Sequence, residues 1–562
     1  MSVRDAAEVQ NALRYITAQV NDQGLYAAGF LTYEAAAAFD LAVHQPSPDS
    51  LPLLWFGLYH RPKEVEVPFM PYGAYQVGEW EAALDWPAYH RAIAAIKSYI
   101  AEGHTYQVNY TMPLSASFSG DPWALYRDLT QSQQAQFMAY LDLGRFVICS
   151  ASPELFFVRD DDQLYSRPMK GTAHRGRTLA EDRAQMEWLR KSEKNRAENV
   201  MIVDMIRNDF GRVADTGSVD VPELFTVERY PTLLQMTSTV TARSQAGLPE
   251  IMRAMFPCAS ITGAPKVRTM EIIKELEPHA RGIYTGSIGY IGPGNKASFN
   301  VAIRTAVIDR LNERVTYGVG GGIVWDSEAG QEYQEAFLKA QILVKRQPTF
   351  DLFETMRWSE EEGYFLLDLH MQRLAQSAEY FDFPLDSTAA TILLDDLAAE
   401  LSEPARVRLL VDKHGGMTLQ NFPLEIVSLK RPLRVSLAAN AISTDNIWLF
   451  HKTTHRQVYE EARASRPEAD EVILWNEAGE VTEGTISNIV IDLDGVLVTP
   501  PVSCGLLNGT YRQHLLQSGQ IFERRISVED LYRSRKIYLI NSVRLWQEAE
   551  INESQQIKSG EK

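Results

Sequence analysis

Apolar and polar positions along this chain recur with both helical and strand periods, so a mixed α+β protein is expected. Residues 86–103 carry apolar side chains at helical spacing, and Gly103 is placed to end that helix. Apolar runs typical of strands follow at residues 105–114, 146–150 and 155–159. Helices and strands are therefore both expected in this part of the chain.

The pattern continues through the middle of the chain. Residues 195–207 are apolar on nearly every side, which predicts a buried helix. A turn rich in small residues opens a predicted helix at 267–277, and strands at 286–291 and 299–308 form a predicted hairpin. A glycine run then leads into a last predicted helix at 329–344.

A break in the pattern near residue 347 marks the expected domain boundary. We predict one domain over residues 1–346, with an N-terminal subregion at 1–85 and a catalytic core at 86–346, and a second domain over 347–562. In the second domain, short strands between residues 472 and 499 are separated by sharp turns, which is typical of a β-meander.

The composition is typical of a large globular protein, and its charge excludes some classes of binding partner. Of the 562 residues 45% are hydrophobic, and a net charge of -18 argues against nucleic acid, since phosphate binding needs a basic face. No segment reads as a signal peptide or a membrane span, so a soluble cytoplasmic protein without membrane contact is expected. Cys149, Cys258 and Cys504 lie far apart, which favours free buried thiols over disulfides or a zinc site.

The stretch PMKGT at residues 168–172 places Lys170 between a proline and a glycine at the mouth of a predicted strand. A lysine in a desolvated or cation-rich pocket can lose its proton and become a nucleophile. Taken alone, such a stretch is more often a surface turn with a solvated lysine. Other residues of the first half are needed to choose between these two interpretations.

Several acidic residues of the first half are candidates for acid or metal chemistry. Glu154 follows a serine and a proline, Glu198 lies on the apolar helix, and Glu332 and Glu335 share one face of the last helix. A carboxylate on a buried helix needs a positive partner, and Mg²⁺ accepts one or two carboxylates together with water and substrate oxygens. A solvated helix face explains Glu332 and Glu335 equally well.

Three further groups could bind a carboxylate. Backbone amides of the run Gly320 to Gly322 carry no obstructing side chain, although a tight turn between strand and helix explains the run too. Arg304, on a predicted strand, could bind a carboxylate with two hydrogen bonds or form an ordinary ion pair. Lys339 could contact a ligand or pair with Glu335 one helical turn away.

Short motifs spread across the first half carry a family resemblance. They are SPE at 152–154, PMKGT at 168–172, RAEN at 196–199, IRND at 206–209, SITGAPK at 260–266, GSIGYI at 286–291, IRT at 303–305, GGGIV at 320–324 and EYQEAFLK at 332–339. With these motifs, residues 85–345 resemble the chorismate-utilising enzymes, the family of anthranilate, aminodeoxychorismate, isochorismate and salicylate synthases. The resemblance implies a two-sheet α/β sandwich that binds chorismate.

The resemblance also implies roles for individual residues. Glu198 and Glu335 would hold Mg²⁺ against the ring carboxylate of chorismate, with Glu332 supporting the site, and Glu154 would protonate the departing C4 hydroxyl. The substrate-binding groups that it implies are Ser260, Tyr290, Arg304, the amides of Gly320, Gly321 and Gly322, and Lys339.

Two positions distinguish the branches of this family. Relatives that add water have a lysine base at the position of Gln107, and a glutamine cannot deprotonate water. At Lys170 the anthranilate synthases have alanine, whereas aminodeoxychorismate synthases have a nucleophilic lysine, so the resemblance implies amination at C4 through a covalent Lys170 intermediate. One position departs from the family pattern, because Gln235 stands where a histidine is usual.

The source of ammonia is a separate question. None of the three cysteines lies in the Gly-x-Cys-x-Gly turn of glutamine amidotransferases. We therefore expect a separate glutamine amidotransferase subunit to supply ammonia.

Motifs of the second half resemble the fold type IV pyridoxal phosphate (PLP) enzymes, an α+β family that includes branched-chain aminotransferases and aminodeoxychorismate lyase. The motifs are HMQRL at 370–374, HKTT at 451–454, TEGTISN at 482–488 and GLLNGT at 505–510. The resemblance implies that Lys452 binds PLP covalently, that Glu483 pairs with its pyridinium nitrogen, and that Arg373 with the amides of Gly509 and Thr510 holds its phosphate. Singly, each of these residues has an ordinary surface or ion-pair explanation.

The fusion of these two domains in one chain predicts the reaction that they carry out together. A domain that makes aminodeoxychorismate, fused to a PLP domain of the lyase family, would form 4-aminobenzoate for folate synthesis by removing pyruvate. Two alternatives stay open, namely an anthranilate synthase component I fused to an aminotransferase, and a C-terminal domain that is catalytically degenerate. The resemblance also implies a possible homodimer through the C-terminal domain.

Overall fold

The computed structural model describes residues 1–65, 73–341, 348–424 and 431–552, without the side chains of 338–341. The chain forms two compact units. The first comprises Met1–His174 with Gln185–Gln347, and the second comprises Arg175–Ala184 with Pro348–Lys562. None of the described helices is long and apolar enough to cross a lipid bilayer.

The first unit is built from antiparallel strands with helices packed against them. Its described strands are β1 (Ser2–Val3), β2 (Tyr26–Leu31), β3 (Leu54–Tyr59), β4 (Tyr75–Val77), β5 (Glu81–Ala82), β6 (Gln107–Gly120), β7 (Phe137–Asp142), β8 (Phe146–Ser152), β9 (Leu155–Asp160), β10 (Gln163–Arg167), β11 (Met169–His174), β12 (Asp220–Arg229), β13 (Leu233–Arg243), β14 (Gly263–Ala264), β15 (Ser287–Gly292), β16 (Lys296–Asn300), β17 (Thr305–Asp309) and β18 (Arg314–Ile323). The helices met along this part of the chain are α1 (Ala6–Gln23), α2 (Trp86–Ala101), α3 (Pro122–Gln133), α4 (Leu179–Lys191), α5 (Glu193–Gly211), α6 (Leu248–Met255), α7 (Lys266–Leu276) and α8 (Ala329–Gln341).

These strands form two sheets. Sheet I has the order β1-β3-β2-β15-β16-β9-β10-β13-β11, with β12 beside β13, and sheet II has the order β14-β6-β18-β17-β8-β7, with β4 and β5 beside β6. Phe30 and Ile288 of sheet I share one buried cluster with Ile148 and Val307 of sheet II. The two sheets therefore pack face to face, which confirms the predicted two-sheet sandwich and the α+β class.

Helix α2 illustrates how local sequence sets the bounds. The Asp85 side chain accepts a hydrogen bond from the Ala88 amide and so caps the N-terminus. Tyr89, Ile93 and Ile96 are buried on one face, and just beyond the helix Gly103 adopts a left-handed φ of 77°. The predicted helix and its glycine stop are both confirmed.

Helix α5 departs from the prediction that it is buried on nearly all sides. Only one face is covered, and Val200 keeps 38% of its surface exposed. The apolar residues of the other face border an open cavity of about 940 Å³, which Phe225 and Tyr106 also line. The apolar pattern was interpreted wrongly because a helix face beside a cavity has the same composition as one inside a core.

The predicted hairpin after residue 286 is correct only in its first part. Strands β15 and β16 pair with Gly289 opposite Phe299. The chain then leaves sheet I, and β17 joins sheet II between β8 and β18. The expected second strand at 299–308 is therefore two strands in different sheets, and the crossing between them lies at the first candidate site.

The second unit contains two further sheets. Its strands are β19 (Leu352–Ser359), β20 (Gly363–Tyr364), β21 (Ala405–Val411), β22 (Met417–Pro423), β23 (Leu433–Leu437), β24 (Glu471–Trp475), β25 (Val481–Gly484), β26 (Asn488–Leu493), β27 (Val496–Thr499), β28 (Phe522–Glu523), β29 (Lys536–Asn541) and β30 (Leu545–Ile551). Its helices are α9 (Leu367–Phe381), α10 (Ser387–Glu400), α11 (Gln457–Ala464), α12 (Thr510–Gln517) and α13 (Val528–Arg533), together with the start of α4 up to Ala184.

Sheet III has the order β20-β19-β21-β22, and sheet IV has the order β25-β24-β23-β30-β29-β26-β27-β28. An additional pairing of β25 with β26, at Glu483 and Asn488, closes part of sheet IV into a ring. The consecutive antiparallel pairings from β24 to β27 confirm the predicted meander. Ring closure places Glu483 beside the buried residues of β26.

Candidate active sites

The first candidate site lies where the chain crosses twice between sheets I and II. Glu154 is in the short link from β8 to β9, and Arg304 is in the link from β16 to β17. The Val301 amide donates to the Glu154 carbonyl at 3.0 Å, and the Ala151 amide donates to the Arg304 carbonyl at 3.0 Å. The two links therefore run side by side. Arg304 precedes the strand on which it was predicted, and its φ of 50° is a strained value that is common at functional sites.

Glu154 is enclosed by protein. Its side chain is 4% exposed, and Oε1 has no hydrogen-bond partner among the described residues. Burial raises the pKa of Glu154 to about 7, although hydrogen bonds from Ser260 and the Met169 backbone and the charge of Lys170 oppose that rise. A carboxyl group with this pKa is half-protonated near neutral pH, which suits a general acid.

Lys170, on edge strand β11, meets β18 of the other sheet at Gly322. A Cβ placed on Gly322 would lie 3.1 Å from Lys170 Nζ and 2.4 Å from Gln107 Nε2, so only glycine leaves room for both side chains. Gln107 is 1% exposed, and its Nε2 has no hydrogen-bond partner among the described residues. Lys170 is half-buried in this group, and the interpretation of its stretch as a turn is wrong because Met169–His174 is a strand.

The position of Gln235 explains how the Lys170 strand is held. Gln235 Nε2 donates to the Gly171 carbonyl at 2.8 Å, and Gln235 Oε1 accepts from the Thr172 hydroxyl at 3.3 Å. On the other side, Asn199 Nδ2 of α5 donates to the Lys170 carbonyl at 3.3 Å. The departure at Gln235 thus supports the backbone around Lys170.

The predicted substrate-binding residues divide into two groups. Ser260 is buried and lowers the pKa of Glu154, whereas Tyr290 keeps 53% of its surface exposed on β15 between Ala28 and Ser298. Tyr284, in the turn before β15, is half-buried, and burial raises its pKa, with smaller contributions of the same sign from Glu277 and Glu154. The motifs predicted no role for Tyr284, although it lies two residues before the GSIGYI motif.

The run Gly320, Gly321 and Gly322 is not a turn. It lies within β18 and pairs with Thr111, Tyr110 and Asn109 of β6. Extended pairing of this kind occupies part of the backbone groups of the run, so the predicted carboxylate cradle has fewer amides than a loop would offer.

The predicted metal ligands lie on helices next to these strands. Glu198 is half-buried on α5, Glu335 is exposed on α8, and Glu332 Oε1 accepts from the Ser327 hydroxyl at 2.7 Å. Within the described ranges, no three histidine, cysteine or acidic side chains are grouped so that they could hold a metal ion. Two glutamates are nevertheless a donor set that Mg²⁺ accepts when water and substrate complete its shell. The Lys339 side chain lies outside the described residues.

The second candidate site surrounds Lys452. It lines a cavity of about 330 Å³ in the second unit, and its Nζ lies 4.8 Å from the centre of the Phe353 ring. Burial lowers the pKa of Lys452 to about 7, and the charges of Arg373 and Arg456 add to that shift. An amine with this pKa has a substantial neutral fraction at pH 7, which nucleophilic attack on a carbonyl carbon requires.

Glu483 faces the same cavity and is held on both oxygens. Oε1 accepts from the Tyr459 hydroxyl at 2.7 Å and from the Leu507 amide at 3.1 Å, and Oε2 accepts from Asn488 Nδ2 at 3.1 Å. Burial raises the pKa of Glu483 to about 7 against these donors. A cationic ring nitrogen placed beside this carboxylate would stabilise its charged form. Tyr459 and Asn488 are not among the site residues predicted from the sequence.

Arg373 belongs to a buried network. Its Nε and Nη2 donate to Glu354 at 2.8 and 2.6 Å, and its Nη1 donates to the Asn508 carbonyl at 3.2 Å. His370 lies 2.7 Å from Glu354 through Nδ1 and 3.2 Å from the Thr510 hydroxyl through Nε2. Burial alone would raise the pKa of Glu354, but the charges of Arg373 and His370 and their hydrogen bonds hold that pKa well below its usual range. Arg373 is thereby fixed next to the loop that precedes α12.

His451, which precedes Lys452, is also locked. Its Nε2 donates to the Arg177 carbonyl at 3.1 Å and its Nδ1 accepts from the Ser377 hydroxyl at 3.0 Å. The Tyr380 ring lies 4.3 Å from the imidazole, and burial lowers the pKa of His451 to about 3. A neutral, fixed histidine therefore positions the backbone of Lys452.

The donor set of this cavity fits PLP. Lys452 and Glu483 both line it, and so do Gly509 and Thr510 at the N-terminus of α12. Gly509 precedes that helix without a side-chain cap, and a Cβ there would lie 1.8 Å from Asn488 Oδ1. Uncapped helix amides beside a fixed arginine are a phosphate-binding arrangement.

Comparison with known proteins agrees with this division. Residues 2–345 match the chorismate binding enzyme family, and residues 351–550 match the amino-transferase class IV family. Aminodeoxychorismate synthase component 1 of Escherichia coli (strain K12) is 43% identical over 270 residues, which are 48% of this chain and 59% of that protein. The protein of the same name from Bacillus subtilis (strain 168) is 41% identical over 287 residues, 51% of this chain and 59% of that protein.

The chain thus spans about three fifths of the length of these curated relatives. Among solved structures, anthranilate synthase component I from Streptococcus pneumoniae TIGR4 is 25% identical, with a TM-score of 0.53 over 59% of this chain and 85% of that chain. Since the first family model matches more than half of its residues, the chain belongs to the family of chorismate-binding enzymes.

Proposed function

We propose that the chain makes 4-aminobenzoate in two steps, one at each candidate site. The observation that carries this proposal is the group formed by Lys170, Glu154 and Gln107, which combines a nucleophile, an acid and no base for water. The first step would replace the C4 hydroxyl of chorismate by an amino group and release water. The second would release pyruvate from 4-amino-4-deoxychorismate.

In the first step, Lys170 Nζ adds to the ring while Glu154 gives its proton to the departing C4 hydroxyl. The pKa of Glu154, about 7, allows it to carry that proton at neutral pH. Ammonia then displaces Lys170 and arrives at C4, which returns the lysine unchanged. Ser260 and Arg304 orient Glu154 and the substrate carboxylates.

Glu198 and Glu335 are the residues that would hold Mg²⁺ in this site. When bound, the ion would neutralise the charge of the ring carboxylate and so fix the ring. The helices of both glutamates adjoin the strands that meet at Gly322, since α5 supports β11 through Asn199 and α8 follows β18 along the chain.

In the second unit, we propose that PLP binds with Lys452 as its covalent anchor, Glu483 at its ring nitrogen, and Arg373 with the Gly509 and Thr510 region at its phosphate. PLP supplies an electron sink for the carbon atoms next to the substrate amine. The chain contributes a lysine that can accept and return a proton near pH 7 and a frame that orients the substrate.

Ammonia would come from a separate glutamine amidotransferase subunit. Both curated relatives are named component 1, which fits an enzyme of more than one chain. We expect the purified chain to use an ammonium salt and to use glutamine only after such a subunit is added. Full activity with glutamine in the purified chain alone would contradict this part of the proposal.

Product analysis tests the whole proposal. The chain is incubated with chorismate, Mg²⁺, PLP and an ammonium salt, and the products are separated and identified. We expect 4-aminobenzoate and pyruvate in equal amounts. Anthranilate would overturn the assignment of the first site, and accumulation of 4-amino-4-deoxychorismate would overturn that of the second.

A further inference from the structure

The wall of the Lys452 cavity includes one face of sheet III. Along β21, Val407 and Leu409 are fully buried in the core of the unit, whereas Arg406 and Arg408 point to the opposite face and line the cavity. The strand alternation thus places two arginines side by side on the cavity wall.

The cavity holds more positive charge than a phosphate group requires. Besides Lys452 and Arg373 it is lined by four arginines, and Glu483 is the acidic residue of the lining. The four are Arg406, Arg408, Arg456 and Arg544. Of these, Arg456 already donates to the Thr485 carbonyl. No described acidic side chain forms an ion pair with Arg406 or Arg408, so their charges face the cavity.

Aromatic rings hold both guanidinium groups in place. The Arg408 guanidinium lies 4.2 Å from the centre of the Phe353 ring, the same ring that Lys452 Nζ approaches at 4.8 Å. The Arg406 guanidinium lies 4.6 Å from the centre of the Phe422 ring, directly across from it on β22. Stacking leaves the N–H groups at the guanidinium edge directed away from the rings.

Arg408 also carries a buried donor. Its Nε has no hydrogen-bond partner among the described residues. Burial lowers the pKa of Arg408, and the charges of Arg456 and Arg406 lower it further, although the charge of Asp351 opposes this shift. A buried, unpaired N–H beside other cations is costly unless a ligand anion accepts from it.

We propose that Arg406 and Arg408 bind a second carboxylate of the substrate and make this site selective for dicarboxylates. The inference rests on the proposed function of the second unit and adds to it the class of substrate. 4-Amino-4-deoxychorismate carries a ring carboxylate and an enolpyruvyl carboxylate. A branched-chain amino acid carries one carboxylate and would leave the charge of this wall uncompensated.

The test compares two ring acids that lack an amine, isophthalate with two carboxylates and benzoate with one. Binding to the full PLP-loaded chain is followed by the change in visible absorbance of bound PLP. We expect isophthalate to bind at least about tenfold more tightly than benzoate, and Arg408→Gln to remove this preference. Equal binding of both acids to the wild-type chain would overturn the proposal.

Kinetics and cofactor affinity give two independent readouts. With 4-amino-4-deoxychorismate as substrate, Arg406→Gln and Arg408→Gln should each raise KM about tenfold or more and change kcat less. The affinity for PLP should stay unchanged in both. A loss of PLP affinity would overturn the proposal by assigning the arginines to the cofactor phosphate, and an unchanged KM would overturn it too.

The matched control is Arg434→Gln, because Arg434 is exposed on β23 and pairs with Asp470 outside the cavity. It should change neither the isophthalate preference nor KM. If the wild-type chain releases no pyruvate at all, the proposed lyase function fails. The isophthalate titration still decides whether the two arginines bind a second carboxylate.

Discussion

The two candidate sites differ in how many of their polar atoms already have partners. In the first, Glu154 Oε1 and Gln107 Nε2 are buried without a hydrogen bond to any described residue. In the second, both oxygens of Glu483 accept hydrogen bonds, and Arg373 is fixed by Glu354. The first site therefore leaves donors and acceptors for its substrate, whereas the second presents a completed frame.

This difference follows from which groups would carry out the reaction, side chains in the first site and a cofactor in the second. In the function that we propose, the acid and the nucleophile of the first site are side chains of the chain itself, so single atoms of these side chains must stay available. A cofactor would supply the chemistry of the second, so the protein has to orient it, and orientation needs saturated hydrogen bonds. The unpaired Arg408 Nε fits the same logic, because it lies on the side that we assign to the substrate.

The largest expected effect comes from replacing the lysine of each site, which should stop one step and leave the other intact. Lys170→Ala should abolish amination of chorismate, and Lys452→Ala should abolish pyruvate release, each by about 10 000-fold or more because a nucleophile is lost. Chromatography of the products measures both. Lys452→Ala should accumulate 4-amino-4-deoxychorismate and lose the visible absorbance of bound PLP, while Lys170→Ala keeps that absorbance. If Lys170→Ala also stops pyruvate release from supplied 4-amino-4-deoxychorismate, or if Lys452→Ala also stops amination of chorismate, the assignment of one step to each site is wrong.

The proposed role of Glu154 as the acid of the first site predicts a pH dependence of amination. Since burial raises the pKa of Glu154 to about 7, the group is protonated below that pH, and amination should slow as pH rises through about 7. Glu154→Gln should lower kcat about 100- to 10 000-fold and remove this slope. Pyruvate release from supplied 4-amino-4-deoxychorismate serves as the control and should not change. An identical pH slope in the variant would exclude Glu154 as the acid.

The sequence was most informative about the site where short motifs occur in a characteristic order. Motif order was enough to predict Lys452 and Glu483, and both line one cavity. Motif order does not say which face of a sheet a side chain lies on, and the pairing of β15 with β2 and β16 leaves Tyr290 53% exposed, so its role in substrate binding stays a prediction. At the Gly320 to Gly322 run only the alternative of a tight turn is wrong, since glycines carry no side-chain pattern that distinguishes a strand from a turn.

A smaller effect is expected where Gly322 separates the two sheets of the first site. In Gly322→Ala the new Cβ would lie 2.4 Å from Gln107 Nε2 and 3.1 Å from Lys170 Nζ, so both side chains must move. Misplacement of about 1 Å can lower a rate about 100-fold, and we expect a loss of that order in kcat for amination. In the control Gly330→Ala, the new Cβ meets Trp86 at an ordinary 3.9 Å. Equal rates in both variants would show that Gly322 does not set the position of Lys170.

The smallest effect concerns the frame around Glu483. Tyr459→Phe removes the 2.7 Å hydrogen bond that lowers the pKa of Glu483, so this carboxyl should become neutral more readily and bind a cationic ring nitrogen less well. A hydrogen bond to a charged group contributes about 1.5–3 kcal/mol, which corresponds to at least about a tenfold loss of PLP affinity. Titration of the apoprotein with PLP measures this loss of affinity.

The matched control for Tyr459→Phe is Tyr364→Phe, which removes a hydroxyl that donates to the Leu394 carbonyl at 2.8 Å away from the cavity lining. Both variants lose one hydrogen bond, so both should unfold at a somewhat lower temperature. Only Tyr459→Phe should bind PLP more weakly, because only Tyr459 touches Glu483. Equal PLP affinities would mean that the other donors, the Leu507 amide and Asn488, suffice to hold Glu483, and that the Tyr459 hydrogen bond is not needed for cofactor binding.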